Sequence, residues 1–171
     1  FGVSHAARRT LKSQAELRGL PVVKSAILNL SRGGFAEAVI RMLVLMADSR
    51  GAVRRDRLER SARVLTQDEP FRSLSMEQRA KLIHEQTLVA TFEPERAIET
   101  LPDLLTKKAE REKAIAVVTY VPGAIDEMAP HTFELLNRFR EVLGIEGAPV
   151  DVTEDPLRTG DSGPRLGSAA E

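Results

Sequence analysis

His84-Glu85-Gln86-Thr87-Leu88 opens like a zinc-protease helix. There, histidines at i and i+4 face one metal and the glutamate between them activates water. Leu88 stands where the second histidine is needed, so His84 reads as a helix-face residue. His131 and Glu134 sit at i and i+3. Di-iron bundles use that spacing in the reverse order, in two copies and with two further glutamates. One reversed copy predicts no such centre. Gly160-Asp161-Ser162-Gly163-Pro164 is similar to the nucleophile signature of trypsin-like proteases, but its second glycine is missing. That chemistry also needs a β-barrel to bring a histidine and an aspartate to the serine. There is no Gly-x-Ser-x-Gly elbow and no phosphate or dinucleotide loop. Glu93, Glu95 and Glu99 crowd around Pro94. Catalytic carboxylates need burial or a close like charge. A helix start, where the dipole favours carboxylates, fits these three better. Cysteine is absent, which excludes disulfides, thiolate metal sites and cysteine nucleophiles. No catalytic residue is expected in this stretch.

Arginine is the one feature with surface chemistry. Arg54, Arg57 and Arg60 step by three, and Arg50 precedes them. A guanidinium fork suits carboxylate or phosphate, so these four are the candidate anion or partner surface. Net charge is zero, yet residues 1–63 carry +8 and residues 64–171 carry −8. Either two charged faces neutralise each other in the fold, or a basic face meets an anionic partner. The chain has one Tyr and no Trp, so it offers no stacking platform for single-stranded nucleic acid. A protein partner, or the chain's own acidic half, is expected ahead of nucleic acid.

Apolar residues recur every three to four positions through most of residues 4–144, and alternation of period two does not persist. The reading is all-α. Val23, Ala26, Ile27 and Leu30 make one stripe after Pro21. Phe35 to Ala47 is the most apolar helix and is expected at the centre of the core. Leu58, Ser61, Ala62 and Leu65 mark the next helix, and Gln67 to Leu74 a loop. Ser75-Met76-Glu77-Gln78 is a capping box opening a long helix lined by Ala80, Ile83, Thr87 and Ala90. Pro94 starts a short helix that Pro102 ends. Thr106 to Tyr120 is another helix. Leu135, Leu136, Phe139, Val142 and Leu143 lie on the last one, which Gly144 stops. No apolar run reaches the ~20 residues of a membrane span. Residues 1–20 read as an N-terminal helix connecting to an upstream region, 21–146 as one helical domain, and 147–171 as a disordered tail. Because residue 1 is Phe, the chain is expected to begin inside a longer protein, and its cysteine-free, charge-rich composition suits the cytoplasm.

Gly51-Ala52-Val53 and Gly123-Ala124-Ile125 recur 72 residues apart, each after an apolar helix and before a more charged one. The first copy is Met46-Ala47-Asp48-Ser49-Arg50-Gly51-Ala52-Val53. The second is Tyr120-Val121-Pro122-Gly123-Ala124-Ile125, closing with Val142-Leu143-Gly144-Ile145. This pattern resembles the tellurite-resistance TerB-like domain. Arg32-Gly33-Gly34-Phe35-Ala36-Glu37-Ala38 and Glu95-Arg96-Ala97-Ile98-Glu99-Thr100-Leu101-Pro102 are similar to a C-terminal region of bacterial polyhydroxyalkanoate-synthase-like α/β hydrolases. The resemblance implies a compact bundle of about six to eight helices, built on two pseudo-repeated helix-turn-helix units. It also implies acidic loops that bind a divalent metal. Asp48 is kept, but Ser49-Arg50 are inserted before the glycine, Pro122 takes the second acidic place, and Arg57 and Ala129 replace later ones. Asp48, Asp56, Glu59, Asp126 and Glu127 are the carboxylates left to hold a metal, and the surrounding arginines oppose it.

The expected function is a non-catalytic accessory or interaction domain, with no cofactor of its own. Its protein partner would be an upstream domain of the same chain or a second copy. The alternatives are a metal- or anion-sensing module of the tellurite-resistance type, and a basic surface for nucleic acid.

Overall fold

A computed structural model describes residues 13–47 and 55–158. All regular structure among the described residues is helical. Residues 13–18 are the described part of α1. There follow α2 (Pro21–Leu28), α3 (Phe35–Ala47), α4 (Arg55–Gln67), α5 (Met76–Phe92), α6 (Pro94–Glu99), α7 (Leu101–Leu104), α8 (Lys108–Tyr120) and α9 (Pro130–Val142). Phe71–Ser73 and Ile125–Glu127 form 3-10 turns. No helix among the described residues is long and apolar enough to cross a membrane.

Local signals set most of the boundaries. Proline occupies the first turn of α2, α6, α7 and α9, where its missing N–H costs nothing. Ser75 Oγ accepts from the Gln78 N–H at 3.1 Å, and Gln78 Oε1 accepts from the Ser75 N–H at 2.9 Å. That capping box starts α5 as expected. Gly144 follows α9 with φ 69°, a left-handed conformation that glycine adopts without strain.

α3 is the central helix, packed on α5, α6, α7, α8 and α9. Neighbours on every side explain its nearly unbroken apolar sequence. Its one buried charge is Arg41, which is 0% exposed. Arg41 Nε donates to Gln86 Oε1 at 2.8 Å, Nη2 to the Leu30 carbonyl at 2.7 Å, and Nη1 to Thr100 Oγ1 at 3.0 Å and the Ala97 carbonyl at 3.3 Å. Burial lowers its pKa to about 10, against the opposing charge of Glu37. It therefore stays protonated at neutral pH.

Two helices turn a different face inward from the one the sequence implies. On α5 the buried residues are Leu82, Gln86, Val89, Ala90 and Phe92, while Ala80 and Thr87 are exposed. Gln86 is buried because it accepts from Arg41, and a polar type in that register hides the stripe. On α4 Leu58 is 57% exposed and Val64 is the fully buried residue. Ser61 and Leu65 are half-buried and Ala62 is exposed. The stretch from Gln67 to Leu74 is also more than a loop. α4 runs through Gln67, the Glu69–Pro70 bond is cis, and Phe71 is wholly buried.

The expectation of a disordered tail from residue 147 is corrected for 147–158. These residues form neither helix nor strand, yet Leu157 belongs to the hydrophobic core and Val152 packs against it. Asp151 Oδ1 accepts from the Ile125 N–H at 2.8 Å. One leucine anchors a stretch whose Pro, Gly and Asp content masks it. Residues 159–171, with the Gly160-Asp161-Ser162-Gly163-Pro164 motif, lie outside the described residues, as do residues 1–12 and 48–54.

Candidate functional site

A group of charged side chains lies where α4, the end of α8 and the 147–158 segment meet. Arg60 enters from α4. Its Nε donates to the Val121 carbonyl at 2.9 Å and its Nη1 to Asp56 Oδ2 at 3.1 Å. Its guanidinium carbon lies 6.0 Å from the Tyr120 ring centroid. Arg60 thereby ties α4 to the turn after α8. A cavity of about 240 Å³ beside it is lined by Arg60, Tyr120, Gly123, Asp151, Val152 and Thr153. A neighbouring cavity of about 430 Å³ is lined by Arg63, Tyr120, Thr153, Glu154, Asp155 and Arg158. Asp68, at the end of α4, is 7% exposed and faces Asp155.

Gly123 makes the Arg60 contact possible. Its φ is 97°, and a Cβ there would lie 2.8 Å from Arg60 Nη2. Gly123→Ala is expected to cost about 1–3 kcal/mol, through backbone strain and displacement of the guanidinium. Urea unfolding checks it, as a midpoint shift that at constant slope corresponds to that loss.

The expected anion surface is reshaped by this geometry. Arg50 and Arg54 lie outside the described residues. Arg60 turns inward and is not an open surface group. Arg57 is half-buried, and its pKa is lowered by burial and then by the charge of Arg60. Arginines elsewhere behave as Arg60 does. Arg79 donates to the Phe71 carbonyl, Arg111 to those of Leu105 and Leu143, Arg140 to those of Glu146 and Gly147, and Arg18 to that of Phe92. The fork serves chiefly as a clamp on loop and helix-end carbonyls.

Of the five carboxylates considered for a metal, Asp48 lies outside the described residues. Asp56 is paired with Arg60 and Glu59 with Arg55, each at 3.1 Å and one helical turn apart. Asp126 and Glu127 are exposed in the 3-10 turn before α9. Among the described residues no three His, Cys, Asp or Glu side chains gather as a metal site. A hard cation needs several converging oxygens, and the four described carboxylates do not converge in that way. Glu93 pairs with Arg18 at 3.3 Å, and Glu95 with Arg138 at 2.7 Å. His84 and His131 are exposed. The sequence reading missed Asp68 and Asp155, which stand 87 residues apart with no spacing signal between them.

No family model, curated protein or solved structure matches this chain.

Proposed function

We propose that the chain is a non-catalytic accessory or interaction domain of a larger bacterial protein. It would be a TerB-like bundle working beside a polyhydroxyalkanoate-synthase-like hydrolase. The observation that carries this reading is apolar surface along α1, the α1–α2 turn and α2. Leu17, Leu20 and Val22 are 43–47% exposed and Leu28 is 81% exposed. Large apolar side chains grouped along a short stretch suit a protein partner. The site charges support the same reading, because Arg60 and its neighbours hold loops together and converge on no common reacting atom.

The test is mixing the purified chain with a hydrolase of that class. Comigration in size-exclusion chromatography is expected for the unaltered chain and is expected to be lost in Leu17→Glu/Leu28→Glu. Failure of the unaltered chain to comigrate would remove the hydrolase partner. Ester or acyl-thioester turnover by the chain alone would overturn the non-catalytic reading.

A further inference from the structure

We propose that Asp68 and Asp155 form a proton-operated latch that holds residues 147–158 on the bundle and weakens as pH rises. Asp155 Oδ1 accepts from the Leu157 N–H at 3.0 Å, which orients its carboxyl group. Its Oδ2 is buried without a partner, and so is Asp68 Oδ2. Two carboxylates facing each other away from water repel, and neither Oδ2 has a donor. One proton supplies the missing donor and removes a charge. Leu157, 4% exposed and part of the core, is the side chain this latch keeps in place.

The charged and titratable surroundings come from every element that packs here. Arg63 of α4 and Arg158 of the segment itself pull Asp68 toward its charged form. Glu154 and Tyr120 line the adjoining cavity. Arg72, in the 3-10 turn after Pro70, gives its backbone N–H to the Asp68 carbonyl at 2.8 Å. Against the two guanidinium groups, burial first and then the hydrogen bond and charge of Asp155 raise the Asp68 pKa to about 7. A carboxyl group whose pKa is raised in the closed form binds its proton more tightly there than when the segment is open. Closure is therefore fully supported below the ordinary carboxyl pKa. The support is lost as pH rises to about 7, and nothing further changes above it. Opening should grow roughly tenfold per pH unit inside that window.

The cysteine-free sequence permits a direct readout. In Leu157→Cys, the one thiol is modified only when the segment lifts. Its labelling rate is divided by that of the urea-unfolded protein at the same pH, which removes the thiol's own ionisation. The ratio is expected to rise at least about tenfold between pH 5.5 and 7 and then level off. Adding Asp68→Asn, whose amide can donate to Asp155 at any pH, should leave a low, flat profile. A flat profile with Asp68 intact, or a slope that survives Asp68→Asn, overturns the latch. Slow labelling restored at pH 8 by millimolar Ca²⁺ also overturns it, since the pair would then be a cation site. Carbon-13 titration of the Asp68 carboxyl in the unsubstituted chain guards against loosening by the cysteine. A midpoint near 7 upholds the proposal, and one below 5 ends it.

Discussion

Arg41→Ala should lower the unfolding free energy by about 3–5 kcal/mol, a large share of what a domain of this size has. The loss combines a cavity with stranded acceptors. The side chain is wholly buried, and Gln86, Leu30, Ala97 and Thr100 all accept from it. Each acceptor left dry and unpaired costs about 1–3 kcal/mol before relaxation. Arg41→Met separates the two contributions, because it keeps most of the volume and removes the donors. Its cost should stay well above the ~1.5 kcal/mol ceiling of a volume-conserving apolar swap. Adding Gln86→Leu should then recover part of the loss, since the two groups are worth most as a pair. Urea-unfolding midpoints at constant slope measure all three variants. A loss under 1 kcal/mol for Arg41→Ala would mean that water replaces the guanidinium.

Phe71→Ala is the second large effect, again about 3–5 kcal/mol. Phe71 is 0% exposed and belongs to the core, although it sits in a single 3-10 turn between α4 and α5. A position in a loop would ordinarily tolerate truncation. Here the ring joins the short segment after Pro70 to the hydrophobic core. Phe71→Leu should cost under ~1.5 kcal/mol, because the site wants volume more than aromaticity. Thermal unfolding followed by circular dichroism distinguishes the two variants. Equal midpoints for Phe71→Ala and the unaltered chain would sink the idea.

Much of the fold was legible in the residues. Phe35 to Ala47 reads as a core helix because it is apolar on every side, and the structure puts it there. The Ser75–Gln78 box and the prolines at 21 and 94 mark starts that local backbone chemistry dictates. The errors have a common cause, which is a polar or isolated residue buried by a distant partner. Gln86 belongs to the inner face of α5 only because Arg41 needs an acceptor. Phe71 and Leu157 are single apolar side chains in polar surroundings, and no periodicity announces a lone anchor. The site was the least legible part. Arg60 looks like a surface cation in sequence, and the Val121 carbonyl that captures it is 61 residues away. Asp68 and Asp155 come together only through the fold of the C-terminal segment.

The carbonyl clamps decide how the loops respond to their medium. Arg79, Arg111 and Arg140 each hold neutral carbonyl acceptors, so a concentrated electrolyte finds no opposite charge at those contacts to mask. The exposed pairs Arg55–Glu59 and Arg138–Glu95 fade with ionic strength, whereas these connections persist. A lysine would preserve every formal charge and still lose the forked grip. The indifference to brine expected of these loops thus resides in the shape of one functional group.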